Sequence, residues 1–328
     1  MWLVLLLVIA CSRFAAGTAR WVDLIANVSY FVLPMGVFTL IVLLRRRRIL
    51  SSLVALLICV TSYLPLNPVV RATWRGNQTN ETTPAKSSST ISILVANVHG
   101  SAGALNQLIN VLRTRQPDLV AVIEAGQETG RAFVGRDEIS RMYPFRIPPD
   151  INVTSSIVIL SRHPVHKMKF EDDPTVADES LYAFHHSYLV DYPVDDDHVR
   201  RFIFTAAHPP SPRTDATWKR GNEKTLALAT FARTRLTQLK RPIILAGDFN
   251  STMTGYQYGI TQRMSGLVSS DVLVGGIEGT WPADLPGMLR LTLDRLWVSS
   301  ESVRIVKRQV LDDIASDHRP VLFRCVIE

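Results

Sequence analysis

Apolar residues follow two different patterns along this chain. As far as residue 70 they form long uncharged runs, and from residue 91 they come in short blocks separated by turn residues. Residues 24–44 give 21 positions without a charge, and residues 49–70 give 22, interrupted only by Pro65 and Pro68. A bilayer core takes about 20 apolar residues as helix, so both runs are expected to span a membrane. The first run, residues 2–11, is only 10 residues long before it meets Ser12 and Arg13. It is either a short third span reaching Ala16 or a signal-peptide core, with residues 8–11 resembling a lipoprotein cleavage box. No basic residue precedes it, as one would in a signal peptide, which favours the span and gives two or three transmembrane helices. Arg45, Arg46, Arg47 and Arg48 lie between the two long runs. Short basic loops stay in the cytoplasm, which puts the chain after Val70 on the opposite, extracytoplasmic face of a multi-pass cell-membrane protein.

Residues 1–70 thus form a membrane region, and residues 71–90, rich in Thr, Ser and Asn, read as a polar linker. Within that linker, Asn77-Gln78-Thr79 and Asn80-Glu81-Thr82 fit the glycosylation pattern. Residues 91–328 form the remaining domain. Strands are predicted at 91–96, 119–123, 156–160, 188–192, 201–206, 242–246, 292–298 and 320–327. Between the first two, Leu105, Leu108, Ile109 and Leu112 recur at helical spacing and Pro117 closes the element. Residues 217–239 read as a second helix, with Leu226, Ala229 and Leu236 on one stripe. Many strands with few helices predict packed sheets flanked by helices.

Charge alters the picture once it is divided along the chain. The formal charge of +7 arises because residues 1–90 hold nine basic and two acidic side chains, which leaves 27 of each sign in residues 91–328. That domain is neutral, so the high pI does not signal a basic nucleic-acid face. Three cysteines imply no disulfide framework, and Cys325, in a predicted strand, reads as core.

Several predicted strands run directly into a residue able to bind metal or move a proton. Asn97 follows the first strand and Glu124 the second; His208 and Asp248-Phe249-Asn250 follow two later ones, and Asp317-His318 precedes the last. Singly, each has a plain explanation as a turn or solvated residue. Their combination resembles the endonuclease/exonuclease/phosphatase superfamily across residues 91–328. The resemblance rests on Asn97, Val122-Ile123-Glu124, Ser161-Arg162-His163-Pro164, Ala206-Ala207-His208-Pro209, Gly247-Asp248-Phe249-Asn250, Leu293-Asp294-Arg295 and Ser316-Asp317-His318-Arg319-Pro320.

The resemblance implies an α/β fold, a four-layer sandwich of two packed mixed β-sheets flanked by helices, preceded here by transmembrane helices. It implies a metal site of Glu124, Asn97 and Asp317 for Mg²⁺ or Mn²⁺. His318, oriented by Asp294, is then the base or a phosphate-holding group. Asp248 positions the nucleophile or protonates the leaving oxygen, and Asn250 and His208 donate to the phosphate. Arg162 is a candidate phosphate contact. Arg295 departs from the His or aromatic residue of many relatives and is expected to face solvent. His99 is read as a loop histidine, and the acidic runs 171–173 and 195–197 as solvated turns. The implied activity is hydrolysis of phosphodiester or phosphomonoester bonds, in nuclease fashion on nucleic acid. The alternatives are a phospholipid head-group phosphodiesterase, favoured by the membrane segments and the neutral domain, and a non-catalytic membrane scaffold.

Overall fold

Alternating apolar positions from residue 90 onward become two six-stranded sheets packed face to face. A computed structural model describes residues 2–79, 90–150, 156–168, 185–193 and 198–328. The acidic runs 171–173 and 195–197 and the second glycosylation sequence lie outside the described residues. Four helices come first: α1 (Trp2–Cys11), α2 (Arg20–Asn27), α3 (Val32–Arg45) and α4 (Ile49–Thr79). They are followed by β1 (Thr90–Asn97), α5 (Ala102–Arg115), β2 (Leu119–Ile123), α6 (Gln127–Val134), α7 (Asp137–Met142), β3 (Phe145–Ile147), β4 (Val158–Ser161), β5 (Val165–Lys167), β6 (His185–Pro193) and β7 (Val199–Ala207). The chain ends with α8 (Asp215–Leu239), β8 (Ile243–Asp248), α9 (Tyr256–Met264), β9 (Val268–Ser269), α10 (Ser270–Val274), β10 (Asp294–Val298), β11 (Val303–Val310) and β12 (Val321–Ile327).

One sheet has the order β11-β12-β1-β2-β4-β3 and the other β5-β6-β7-β8-β10-β9. Ile91, Ile93, Val95 and Ile123 of the first meet Tyr188, Phe202, Phe204 and Leu296 of the second in the central core. Each such side chain contributes about 1.5–3 kcal/mol by leaving water. Alternate residues point outward: Leu94, Val120 and Val122 pack under α5 and α6, and Ile203, Leu245 and Trp297 under α8 and α9. The result is the expected four-layer sandwich. On α8 the buried stripe is Leu228, Ala229, Phe231 and Ala232, whereas Leu226 is exposed. Of the predicted stripe, Ala229 and Leu236 lie on the packed side and only Leu226 falls outside it.

The N-terminal region departs further from expectation. Residues 24–44 are not one helix: α2 ends at Asn27, a 3₁₀ turn covers Ser29–Phe31, and α3 begins at Val32. The 14 residues of α3 extend about 21 Å, short of the roughly 30 Å hydrocarbon thickness. The break falls where polar Asn27 and Ser29 are buried. One helix, Ile49–Trp74, is long and apolar enough to cross a membrane. The segments Trp2–Ala15 and Arg20–Asn27 meet at 113°. Leu6, Ala10, Val32 and Ile58 pack α1, α3 and α4 together, while Leu5, Val8, Phe38, Ile41, Leu53 and Leu57 stay exposed on the outside of that bundle. The predicted linker is also shorter than expected, because α4 continues to Thr79.

Candidate active site

Each candidate residue stands at a strand end, and the pairing registers bring those ends to one rim. β1 and β2 are parallel with Asn97 beside Ile123, so Asn97 and Glu124 are neighbours. β7 and β8 are parallel with Ala207 beside Gly247, which sets His208 next to Asp248. β10 runs antiparallel to β8 with Asp294 opposite Asp248. β12 runs antiparallel to β1, so Asp317 and His318, just ahead of it, return to the Asn97 end. Gly247 permits this approach: a Cβ there would lie 1.9 Å from the Ala207 carbonyl oxygen, where no side chain fits.

Strand-terminal side chains also shape the turns that follow. Asn97 Oδ1 accepts from His99 N at 3.0 Å, and Asp248 Oδ1 accepts from Asn250 N at 2.8 Å, the two-residue Asx turn. Ser316 Oγ donates to Asn97 O at 2.8 Å and so ties the approach to β12 onto the end of β1. His99, Glu124 and Asn250 are held at φ of 48°, 55° and 49°, a conformation unfavourable for non-glycine residues that gathers at functional sites.

Asn97 lies at the centre. Its Nδ2 donates to Glu124 Oε1 and to Asp248 Oδ2, each at 3.0 Å. His208 Nε2 is 3.3 Å from Glu124 Oε1 and 3.8 Å from Asp248 Oδ2. His318 Nε2 faces the same Asp248 oxygen at 3.6 Å, and its Nδ1 lies 2.8 Å from Asp294 Oδ2. Asn250 Nδ2 donates to Pro209 O at 3.0 Å, linking the turn after β8 to the one after β7. Trp281 Nε1 donates to Asp317 Oδ2 at 3.2 Å, with its ring 6.5 Å from that of His318.

Burial opposes charge on both His318 and Asp248, yet the pair holds both charges. Burial alone would lower the imidazole, but Asp294 and Asp248 on either side push it up to about 10. Burial alone would raise Asp248, but His318, His208, the Asn250 N–H and the Asn97 amide keep it below the ordinary carboxylate range. At neutral pH the arrangement is therefore an imidazolium beside a carboxylate.

The same rim offers donors for a divalent cation. Glu124 and Asp317 supply carboxylates on two sides of His99, whose Nδ1 is 3.5 Å from Glu124 Oε2 and 3.7 Å from Asp317 Oδ1. Asp317 Oδ1 has no hydrogen-bond partner among the described residues. An open carboxylate oxygen near a second carboxylate fits a hard, oxygen-seeking cation. Glu124, His208 and Asp248 also present ligand atoms within 4.8 Å of one another. The Asn97 side-chain oxygen Oδ1 is engaged by the His99 N–H, so its amide braces the carboxylates.

A profile of the Endonuclease/Exonuclease/phosphatase family matches residues 94–318. The chain belongs to this family. Among curated proteins none matches. Solved structures share the fold. The human Nocturnin catalytic domain with bound sulfate anion is 17% identical at a TM-score of 0.54, covering 73% of this chain and 95% of that one. Humanized TDP2 of D. rerio is 13% identical at 0.53, covering 73% and 99%. A Staphylococcus aureus beta toxin variant with bound magnesium ions is 10% identical at 0.50, covering 73% and 100%. Endonuclease/exonuclease/phosphatase proteins are phosphoesterase hydrolases that depend on divalent metal.

Against the family pattern, three expectations need correction. Arg295 does not face solvent: it is fully buried, its Nε 3.0 Å from Asp271 Oδ2 and its Nη1 donating to Ser251 O at 2.7 Å. Its guanidinium also lies over the Tyr258 ring at 4.9 Å. Asp271 of α10, itself buried, makes that burial possible, a pairing that spacing along the chain does not reveal. Arg162 is at the opposite rim, because Ser161 pairs with Leu119 at the start of β2, whereas Glu124 follows its end. His99 is more than a loop residue, since it faces both Glu124 and Asp317. Its position two residues after a strand-terminal Asn, like Asn250 after Asp248, was the available signal.

Proposed function

We propose that the chain is a membrane-anchored, divalent-metal-dependent phosphoesterase with its site on the extracytoplasmic side. The observation that carries this reading is the ion pair of His318 and Asp248 beside the carboxylates of Glu124 and Asp317, the latter with its Oδ1 unpaired among the described residues. Glu124 and Asp317 would hold Mg²⁺ or Mn²⁺, which when bound would supply Lewis-acid polarisation of the phosphoryl oxygen. Asp248, kept ionised, orients the attacking water and accepts its proton. His318, kept protonated with Asp294 on its Nδ1 side, donates through Nε2 to the phosphate and offsets its growing charge. His208 and the second hydrogen of the Asn250 side-chain Nδ2 add donors, and Asn97 fixes Glu124 and Asp248 relative to each other.

Membrane anchoring is supported by Ile49–Trp74 and by the exposed apolar side chains of α1 and α3, since soluble monomers rarely expose large contiguous apolar patches. As to substrate, the family name includes nucleases, and a second structure of D. rerio TDP2, with the same fold, is complexed with a single-strand DNA product. A second reading, a phospholipid head-group phosphodiesterase, has its own observation. Leu285, Met288 and Leu289 are exposed on the loop that carries Trp281 to Asp317 and His318. An apolar loop next to the reacting groups suits a bilayer surface better than a phosphate backbone.

The test is hydrolysis by the purified full chain in lipid nanodiscs with Mg²⁺, offered single-stranded DNA, RNA, phosphatidylcholine and sphingomyelin. Turnover of at least one is expected, and Asp248→Ala and His318→Ala should each reduce it at least about a hundredfold with the fold intact. Equal turnover in the folded variants would refute the assigned roles.

A further inference from the structure

We infer that Asn27, which lies outside the family-matched residues, is a positioning residue for the catalytic turn after β8. This rests on the phosphoesterase reading of that turn. Asn27 Oδ1 accepts from Thr252 N at 2.6 Å and from Thr252 Oγ1 at 3.1 Å, and the Asn27 carbonyl accepts from Thr252 Oγ1 at 2.8 Å. Thr252 follows Asn250 by two residues and Asp248 by four. All these atoms belong to buried residues.

Asn27 is itself held from behind. Its Nδ2 donates to the Asp23 carbonyl at 2.9 Å and to Asp23 Oδ1 at 3.2 Å. Asp23 Oδ1 accepts from Tyr256 N at 2.9 Å, and Oδ2 accepts from Trp218 Nε1 at 2.8 Å. Tyr256 opens α9, where the N-cap residue Gly255 has no side chain to accept that hydrogen bond. Asp23 thus caps α9 from a helix more than two hundred residues earlier. A Cβ on Gly255 would fall 2.4 Å from Asn27 Oδ1, so the turn and α2 are fitted to each other. At the rim of the contact Arg20 Nε meets Asp215 Oδ1 at 2.9 Å.

From the inner side, Arg295 grips the same turn through Ser251 O. The turn that presents Asp248 and Asn250 is therefore clamped between a core arginine and a residue of the N-terminal region. A helix needing adhesion alone would bury apolar side chains, since buried polar groups are costly unless each is paired. Here α2 buries Asp23 and Asn27 and directs their hydrogen bonds to the segment between β8 and α9 and to α8. The consequence is that the geometry of hydrolysis depends on the seating of the N-terminal region against the domain.

The test uses the full chain in nanodiscs, with Asn27→Ala, Thr252→Val, Thr252→Ser and the double variant N27A/T252V. Hydrogen–deuterium exchange over residues 249–256 should quicken about fivefold in N27A and T252V, as expected when a local opening becomes easier, with β7 and β8 unchanged. Turnover should fall about tenfold, the scale of a sub-ångström misplacement, with KM within about twofold and the melting midpoint little changed. T252S, which keeps the hydroxyl, should behave as the wild type, and the double variant should be no worse than the weaker single. Unaltered exchange in N27A, or losses that simply track the melting midpoint and add in the double variant, would overturn the inference. If the wild type hydrolyses nothing offered, the phosphoesterase reading fails while the exchange measurement still decides on Asn27.

Discussion

His318 shows how burial and neighbouring charge set a residue's chemistry. Its folded pKa stands above the ordinary value of 6.5, at about 10. Its protonated form therefore contributes stability fully present below about pH 6.5 and lost as pH rises through about 10. Histidine-selective NMR on the metal-free chain should show one imidazole that stays protonated to about pH 10, and Asp294→Asn should bring that titration down. A titration of His318 near 6.5 would instead make it a neutral base and reverse its role with Asp248. At this scale much was legible in the sequence, because a polar residue directly after an apolar strand marks a sheet rim. Arg295 was not legible, and of His99 only its place two residues after Asn97 was. The reach of His99 depends on how two strands register, and the burial of Arg295 depends on Asp271 folding back against it.

Among elements, the strands read most clearly were those buried on both faces, such as β2 and β8, whose apolar runs are continuous. Edge strands were missed. β11 alternates Val303 and Ile305 with Arg304, Lys307 and Arg308 and is bulged between Ile305 and Lys307, so charge and irregular register hide its period. The short α10 became visible only through its tertiary partner. Its Asp271 and Arg295 of β10 form an ion pair in which both side chains are fully buried. Removing one partner leaves an uncompensated buried charge, so Arg295→Met should destabilise the domain by about 3–5 kcal/mol. The double variant R295M/D271N should recover most of that loss. Chemical denaturation monitored by tryptophan fluorescence measures it, and a single-variant loss below about 1 kcal/mol would mean the pair behaves as an exposed one.

For the whole molecule, the two regions fit one orientation. α3 and α4 are joined by the turn at Arg45–Arg48, and Asn27, just before α3, docks on the domain that follows α4. The arginines therefore stand at the end of α3 opposite to the Asn27 contact. The run at 49–70 became a helix long and apolar enough to cross a membrane, but the division of residues 24–44 was not legible, because hydropathy does not reveal that Asn27 has a partner at Thr252. With basic residues retained in the cytoplasm, a reporter active only outside the cytoplasm and fused after Glu328 should give signal, and a cytoplasm-only reporter should not. Signal from the cytoplasmic reporter alone would place the site on the other face and redirect the substrate search to cytoplasmic phosphate esters.

The most direct measurement is a Mg²⁺ titration of phosphoester hydrolysis by the full chain, with Glu124→Gln in parallel and isothermal binding of Mn²⁺ to both. Chelator should silence the wild type, and Glu124→Gln should raise the Mg²⁺ needed for half activity at least about tenfold, with weaker Mn²⁺ binding to match, because a neutral amide replaces a charged oxygen donor. Full activity in excess chelator, or identical titrations for the two proteins, would contradict a metal-dependent site at Glu124 and Asp317.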